Sequence, residues 1–128
     1  MQMLLIMDRL KIQDKKMWEK EIAQIKNVLH LCRDHDIPLI LHVLDKNNKT
    51  DMEIFKNLVN LIPQNIKEYS KKQVLILYDL LLKYNLGSQY LKEYYFYRYF
   101  EKNLFRFSNE EYIHIFHTLL GAAYFVSL

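Results

Sequence analysis

The sequence predicts an all-α fold, and three observations support that class. The chain of 128 residues contains only two Gly and two Pro, too few for the turns of a sandwich or barrel. Apolar residues recur at the 3.6-residue spacing of a helix along most of the chain. Motifs that begin helices also recur at a fixed offset, which is typical of stacked helical repeats.

The repeat becomes visible when residues 65–74 are aligned with residues 103–112. Each stretch contains an Asn, an apolar residue, two variable positions, an aromatic residue and a Ser, at an offset of 38. A Gln or Glu follows each Ser three positions later. This S-x-x-E/Q pattern is the capping box, in which two side chains satisfy orphan N–H groups at a helix start. The two boxes are Ser70 with Gln73 and Ser108 with Glu111.

A second pair of predicted helix starts has the same offset. Thr50 opens a further capping box with Glu53, and Ser88 lies 38 residues after Thr50. We therefore expect about six helices in antiparallel hairpins, stacked as a short α-solenoid with a repeat of ~38 residues. Pro63 should kink or break the third helix. The predicted helices span residues 14–33, 37–46, 51–68, 71–84, 89–105 and 109–126.

The predicted helical-repeat domain spans residues 14–128, with Asp14 as the first cap. Residues 1–13 are expected to form an N-terminal extension. They hold a short apolar run, but Asp8 interrupts it and no small-residue cleavage site follows, so a secretory signal is not indicated. The single cysteine, Cys32, excludes an internal disulfide and suits a reducing compartment.

Basic residues near the predicted helix ends and loops are candidates for contact with RNA. The formal charge of +3 and pI near 8.9 are mildly basic, short of a patch that would identify a nucleic-acid-binding protein by itself. In a regular array, residues one repeat apart line up and can follow a phosphate backbone. A solvated polar face is the alternative. The candidates are Lys46, Lys49, Lys71, Lys72, Lys83, Lys92, Arg98, Lys102 and Arg106.

The segment 90–100 carries seven aromatic residues that together cover every face of a helix. A helix that is apolar all round is normally packed between neighbours. Two alternatives stay open. The rings can stack on RNA bases while Lys92 and Arg98 contact phosphates, or outward tyrosines can contact another protein.

Catalytic and metal-binding patterns are not indicated, so we expect no enzyme, metal or cofactor. The group formed by His30, Cys32 and His35 lacks the second half of a zinc motif. Glu110 and His114 share a helix face with His117, but no second ligand cluster lies near them in the sequence. There is also no Gly-rich phosphate loop and no nucleophile elbow, and no small-molecule substrate is expected.

Residues 112–128 contain no Asp, Glu, Lys or Arg. This length is the short limit for a membrane span, but His114, His117 and Thr118 argue against one. One inner face of a helix can bury about half of the apolar residues, which leaves an exposed apolar patch. We therefore expect an obligate component of a larger assembly that docks through this segment. The predicted interface residues are Tyr112, Phe116, Leu119, Leu120, Tyr124 and Phe125.

Residues 50–128 resemble the helical-hairpin arrays of organellar RNA-metabolism proteins, the FAST-kinase-like and heptatricopeptide families. The likeness is carried by Tyr69-Ser70-Lys71-Lys72-Gln73-Val74 and Phe107-Ser108-Asn109-Glu110-Glu111-Tyr112, each followed by an apolar helix. Ile37-Pro38 departs from the pattern because it lacks the Ser start. The resemblance implies an α-solenoid that acts in mitochondrial or plastid RNA processing. It also implies a possible role as a short added subunit of a divergent mitochondrial ribosome.

Two functions follow as hypotheses. In the first, the chain is a non-enzymatic structural subunit of an organellar ribonucleoprotein, a mitochondrial ribosome by preference, that binds ribosomal RNA and neighbouring proteins. The second is an accessory subunit of a respiratory or other membrane complex that contacts proteins but no RNA. A mitochondrial location accompanies the first, with plastid and cytoplasm as alternatives.

Overall fold

A computed structural model describes residues 2–62, 66, 69–88 and 91–115. Every regular element within those residues is a helix, which confirms the predicted all-α class. The α-helices are α1 (Gln2–Arg9), α2 (Lys15–Val28), α3 (Asp36–Lys46), α4 (Met52–Asn60), α5 (Lys71–Lys83), α6 (Arg98–Lys102) and α7 (109–115). A π-helix spans Leu91–Tyr97, and 3-10 turns span Leu29–Leu31 and Leu104–Arg106.

The chain divides into two compact units, Met1–Pro63 and Gln64–Leu128. The first unit contains α1 to α4 around an aliphatic core. Trp18 and Phe55 are its large fully buried rings, and the remaining buried positions are mostly Leu, Ile and Val. No polar or charged side chain is buried in the described part of either unit. Hydrophobic burial is therefore the main stabilising contribution in both.

Residues 1–13 contain a packed helix. In α1, Leu4 and Met7 are buried, and the helix contacts α3. The indole Nε1 of Trp18 donates to the carbonyl oxygen of Ile12 at 2.8 Å, which fixes the turn between α1 and α2. The predicted boundary between an extension and a repeat domain at Asp14 stays a prediction, but α1 belongs to the core of the first unit.

Side-chain caps begin the helices of the first unit. Asp14 accepts from the backbone N–H of Met17 at 3.1 Å, as predicted for α2. For α4 the cap is Asp51, whose carboxylate accepts from the Ile54 N–H at 3.1 Å. The prediction that Thr50 caps this helix is therefore wrong by one residue. A carboxylate is the better cap here because it also pairs with Lys26 at 3.1 Å.

Three helices end in the same way, with a left-handed residue just after the helix. Lys11, Asn48 and Asn85 have φ values of 52°, 56° and 50°. In each case the next N–H reaches back to a carbonyl five residues earlier, as in Leu86 to Leu81 at 2.8 Å. This is the Schellman arrangement, which satisfies the last carbonyls of a helix. Asn tolerates the left-handed region better than most residues, so Asn85 rather than Gly87 ends α5.

The second unit is built on an antiparallel pair formed by α5 and the segment 91–106. Contacts between them run in opposite order along the chain: Lys71 meets Arg106, Tyr78 meets Phe100, and Asn85 meets Lys92. The predicted pairing of helices 71–84 and 89–105 is therefore observed. Ser88 caps the second segment by accepting from the Leu91 N–H at 3.0 Å.

An aromatic cluster forms the core of this pair. Tyr78 lies 5.6 Å from Phe96 and 5.0 Å from Phe100, measured between ring centroids. Phe100 in turn contacts Phe107 at 5.9 Å and Tyr99 at 5.9 Å. Such offset and edge-on pairs add to the stabilisation from buried area. Packing inside the unit thus accounts for half of the rings in segment 90–100 whose side chains are described.

The helix α7 begins with the predicted capping box and runs in the same sense as α5. The Glu111 N–H donates to Ser108 Oγ at 3.2 Å, and the Ser108 N–H donates to Glu111 Oε1 at 2.9 Å. Glu111 then pairs with Lys71 at 2.9 Å, and His114 pairs with Asp79 at 2.7 Å. Later residues of α7 meet later residues of α5, so the two helices run in parallel. The box of Ser70 with Gln73 is also complete.

Three predicted helices differ from the structure. The one expected over 51–68 ends at Asn60, because a proline ring at 63 disfavours helical backbone at the preceding residue; Pro63 itself lies outside the described residues. The helix expected over 14–33 narrows to a 3-10 turn after Val28. The segment expected as one α-helix over 89–105 is a π-helix, a short α-helix and a 3-10 turn. Local propensity does not foresee a π-helix, which is uncommon and set by packing.

Phe96 should be the critical ring of the second unit. Its replacement by Ala removes a side chain that is fully buried against Tyr78, and large-to-small core substitutions of this kind cost about 3–5 kcal/mol. Tyr97→Ala is the matched control, because the adjacent ring is half exposed and surface changes usually stay within about 0.5 kcal/mol. Urea unfolding measures both. Equal losses in the two variants would contradict the assigned core.

The acid sensitivity of the second unit should depend on Glu111. The hydrogen bond from the Ser108 N–H and the Lys71 ammonium lower the pKa of Glu111. A depressed folded pKa stabilises the protein above the unfolded pKa, and that contribution is lost as the pH falls through the folded pKa. We expect Glu111→Gln to unfold with a shallower loss of stability between about pH 5 and 3 than the parent chain.

Glu111→Gln keeps the capping box, since Gln73 makes the same box 38 residues earlier. Glu111→Ala removes both the box and the ion pair, and should be the least stable variant at neutral pH. Denaturant unfolding at several pH values separates the two contributions. An unchanged pH slope in the Gln variant would show that Glu111 does not carry the acid response.

Candidate nucleic-acid interface

The nine predicted RNA-contacting residues fall into three groups. Lys46 and Lys49 belong to the first unit. In the second unit, Lys83 and Lys92 lie at the end of the α5 hairpin that contains its turn. The others lie at or towards the opposite, open end, or on the hairpin's second strand of helix. That last group is Lys71, Lys72, Arg98, Lys102 and Arg106.

Lys71 is a structural residue. Its Nζ donates to the carbonyl oxygen of Arg106 at 3.2 Å and to Glu111 Oε1 at 2.9 Å, and lies 5.8 Å from the Phe107 ring centroid. One ammonium group thus joins the start of α5, the 3-10 turn and the start of α7. Because its charge is already paired, Lys71 is a poor candidate for phosphate, and its predicted RNA role is less well supported than that of its neighbour Lys72.

The open end of the hairpin presents an exposed aromatic ring next to cations. Phe105 is 79% exposed, the highest fraction among the large exposed hydrophobic side chains of the described residues. The guanidinium of Arg106 lies 5.7 Å from its ring centroid, within the range of a cation–π interaction. Lys72 and Lys102 are exposed nearby in the chain. We call Lys72, Lys102, Phe105 and Arg106 the open-end patch.

The open-end patch is held together by the Lys71 contact. Lys72 follows Lys71 on α5, and Arg106 supplies the carbonyl that Lys71 binds. Lys102 ends α6 and precedes the same turn. Two acids, Glu101 and Glu110, are exposed in the flanking residues, so the local charge is only weakly positive. Stacking on Phe105, rather than charge alone, gives this surface its character.

The turn end of the hairpin differs from the open end. Lys92 Nζ donates to Asn85 Oδ1 at 3.2 Å, and Lys83 Nζ lies 5.2 Å from the ring of Tyr84. These cations help to close the turn after the left-handed Asn85. Arg98 is exposed on α6 beside Tyr97. The geometry therefore does not gather the seven cations of the second unit into one stripe.

In the first unit, Lys46 also has a partner. Asp8 accepts from Asn47 at 3.0 Å and from the Lys46 ammonium at 3.5 Å. The Asn47 hydrogen bond and the Lys46 charge lower the pKa of Asp8. Lys49 is partly buried after the end of α3. These contacts connect α1 to the end of α3, which gives Lys46 a structural role inside its own unit.

The predicted protein interface at 112–128 is described only at its start. Tyr112 is partly buried and contacts Phe107, Ile113 is exposed, and Ile115 is buried. The remaining predicted interface residues, Phe116, Leu119, Leu120, Tyr124 and Phe125, lie outside the described residues. Among the described residues no helix is long and apolar enough to cross a bilayer.

The titratable groups considered as ligands have other contacts. His114 pairs with Asp79 at 2.7 Å on the side of α7 that meets α5, and His117 lies outside the described residues. Burial raises the pKa of the Cys32 thiol, which disfavours the reactive thiolate. Within the residues that the structure describes, no group of three His, Cys, Asp or Glu side chains is arranged to hold a metal ion.

Sequence reasoning missed two features of this region. It did not single out Phe105, because an aromatic residue within an apolar pattern is expected to be buried. It also assigned Lys71 to RNA, although a Lys four residues from an approaching capping box cannot be recognised from one dimension. Comparison of the chain with protein-family models, with curated proteins and with solved structures finds no match to any of them.

Proposed function

We propose that this chain is a non-enzymatic helical-repeat subunit of an organellar ribonucleoprotein, in the first instance a mitochondrial ribosome. It binds single-stranded segments of ribosomal RNA at the open-end patch and neighbouring proteins through its other surfaces. The observation that carries the proposal is the exposed Phe105 ring with the Arg106 guanidinium beside it. Unpaired RNA bases stack on aromatic rings and on guanidinium planes, while lysines contact phosphates.

The spacing of helix caps supports the repeat on which this proposal rests. The caps Ser70 and Ser108 lie 38 residues apart, and the caps Asp51 and Ser88 lie 37 apart. The left-handed residues Asn48 and Asn85 also lie 37 apart. In the second unit, α7 runs parallel to α5 one period before it, as neighbouring copies do in stacked helical hairpins.

The alternative is an accessory subunit of a respiratory or other membrane complex, without RNA contact. One observation favours it, namely an exposed apolar surface on α1 of the first unit, where Ile6 and Leu10 are largely accessible. Single exposed apolar residues are normal on soluble domains, but several together indicate a contact surface. The two functions differ in which unit makes the essential contact.

Replacement of the stacking ring should weaken RNA binding more than any single charge change. Phe105→Ala removes a base-stacking surface, and each stacked base contributes about 1–3 kcal/mol, so affinity for an unstructured RNA should fall by about tenfold or more. Combined Lys72→Gln and Lys102→Gln should reduce the slope of log affinity against log salt by about 0.7 per lost phosphate contact. Fluorescence anisotropy over a salt series measures both.

Lys83→Gln is the control, because this lysine lies at the turn end of the same hairpin. Its affinity for RNA should stay near that of the parent chain. Co-sedimentation with organellar ribosomal particles then tests the assembly itself. If Phe105→Ala binds RNA as well as Lys83→Gln does, the open-end patch is not an RNA site. Sedimentation with solubilised membrane complexes instead would favour the alternative function.

A further inference from the structure

The first unit carries an apolar surface that its own core leaves exposed. Met3, Ile6 and Leu10 are 52%, 48% and 67% exposed, and their spacing of three and four residues places them along one side of α1. Met17, on the first turn of α2, is 43% exposed. We call these four residues the α1–α2 face.

A groove connects the two helices of this face. It has a volume of about 560 Å3 and contains both Met3 and Met17, so the exposed residues of α1 and α2 belong to one continuous surface. Its lining consists of Met3, Met7, Met17, Lys20, Glu21, Gln24, Ile25 and Val28. Ile6 and Leu10 are not among these residues. The apolar surface therefore extends past the groove onto the outer side of α1.

The charges around the α1–α2 face are unbalanced in favour of cations. The acids in residues 8–20 are already engaged. Asp8 binds Asn47 and Lys46, Asp14 caps α2, and Glu19 lies 4.0 Å from Lys15. The remaining cations of this stretch are exposed and have no ion pair within the described residues. They are Arg9, Lys11, Lys16 and Lys20.

We propose that the α1–α2 face docks the protein on an anionic phospholipid surface, with α1 lying in the plane of the interface. An apolar helix side flanked by Lys and Arg is the pattern of helices that insert into the headgroup region. Acidic lipids supply the phosphates that the four cations lack inside the protein. Met side chains adapt to an irregular surface because they are unbranched and flexible.

A bilayer fits this surface better than a single partner helix does. A helix seated in the groove would cover Met3 and Met17 but leave Ile6 and Leu10 in water. A lipid surface covers all four apolar residues at once and brings headgroups against Arg9 and Lys16. The proposal does not rest on RNA binding, because the open-end patch belongs to the other unit.

Vesicle flotation of the full chain tests the proposal. The probes are vesicles of pure phosphatidylcholine and vesicles in which about a third of the lipid is phosphatidylglycerol. The parent chain should float with the anionic vesicles and not with the neutral ones. Ile6→Ser with Leu10→Ser should lower partitioning by about tenfold or more. Arg9→Gln with Lys16→Gln should lower it by roughly fivefold per charge, with a matching loss of salt sensitivity.

Two controls lie in the same unit but outside the face. Leu31→Ser replaces a leucine that is 69% exposed, close to the value for Leu10, and Lys56→Gln removes an exposed cation from α4. Both should float as the parent chain does, and thermal melting should show that all variants are folded. Equal flotation with neutral vesicles, equal loss in Leu31→Ser, or no flotation at all would overturn the proposal. Self-association that Ile6→Ser with Leu10→Ser abolishes, without vesicle binding, would identify a second copy as the occupant and also overturn it.

Discussion

The contact that the second unit depends on most is the one made by the Lys71 ammonium. A cation at the start of a helix is unfavourable, because the N-terminal end already carries the positive end of the helix dipole. Glu111 offsets this by placing a carboxylate 2.9 Å away, and the Arg106 carbonyl supplies a second acceptor. The same carboxylate completes the box that begins α7. One lysine therefore sets where the hairpin ends and where the next helix begins.

Helix ends impose the wider constraint on this chain. The described helices span between 5 and 14 residues, so a large share of their backbone groups lies in the first or last turn. Each such group needs a partner. Serine and aspartate caps satisfy the starts, and left-handed Asn or Lys residues satisfy the ends. Polar side chains are thereby used at the helix ends, while the described core holds none.

The two units differ in how they fill their cores, and this affects their surfaces. The first unit packs mainly aliphatic side chains, whereas the second packs a chain of rings from Tyr78 through Phe100 to Phe107. In the second unit the rings face inward, and Phe105 is left exposed beside Arg106. In the first unit the exposed apolar residues gather on α1 instead. Each unit thus offers one surface of distinct chemistry, one suited to unpaired bases and one suited to anionic lipid.

The sequence by itself determined the helical class, the four helix starts near residues 51, 70, 88 and 108, and the capping boxes. These are local features, because a cap needs only residues three apart and amphipathic periodicity needs one helix. Tertiary structure alone decided the roles of the lysines. Lys71 meets Glu111 across 40 residues, and Lys46 meets Asp8 across 38. Which cations remain available, and which rings stay exposed, depends on such distant pairs, and a single chain read in order does not contain their geometry.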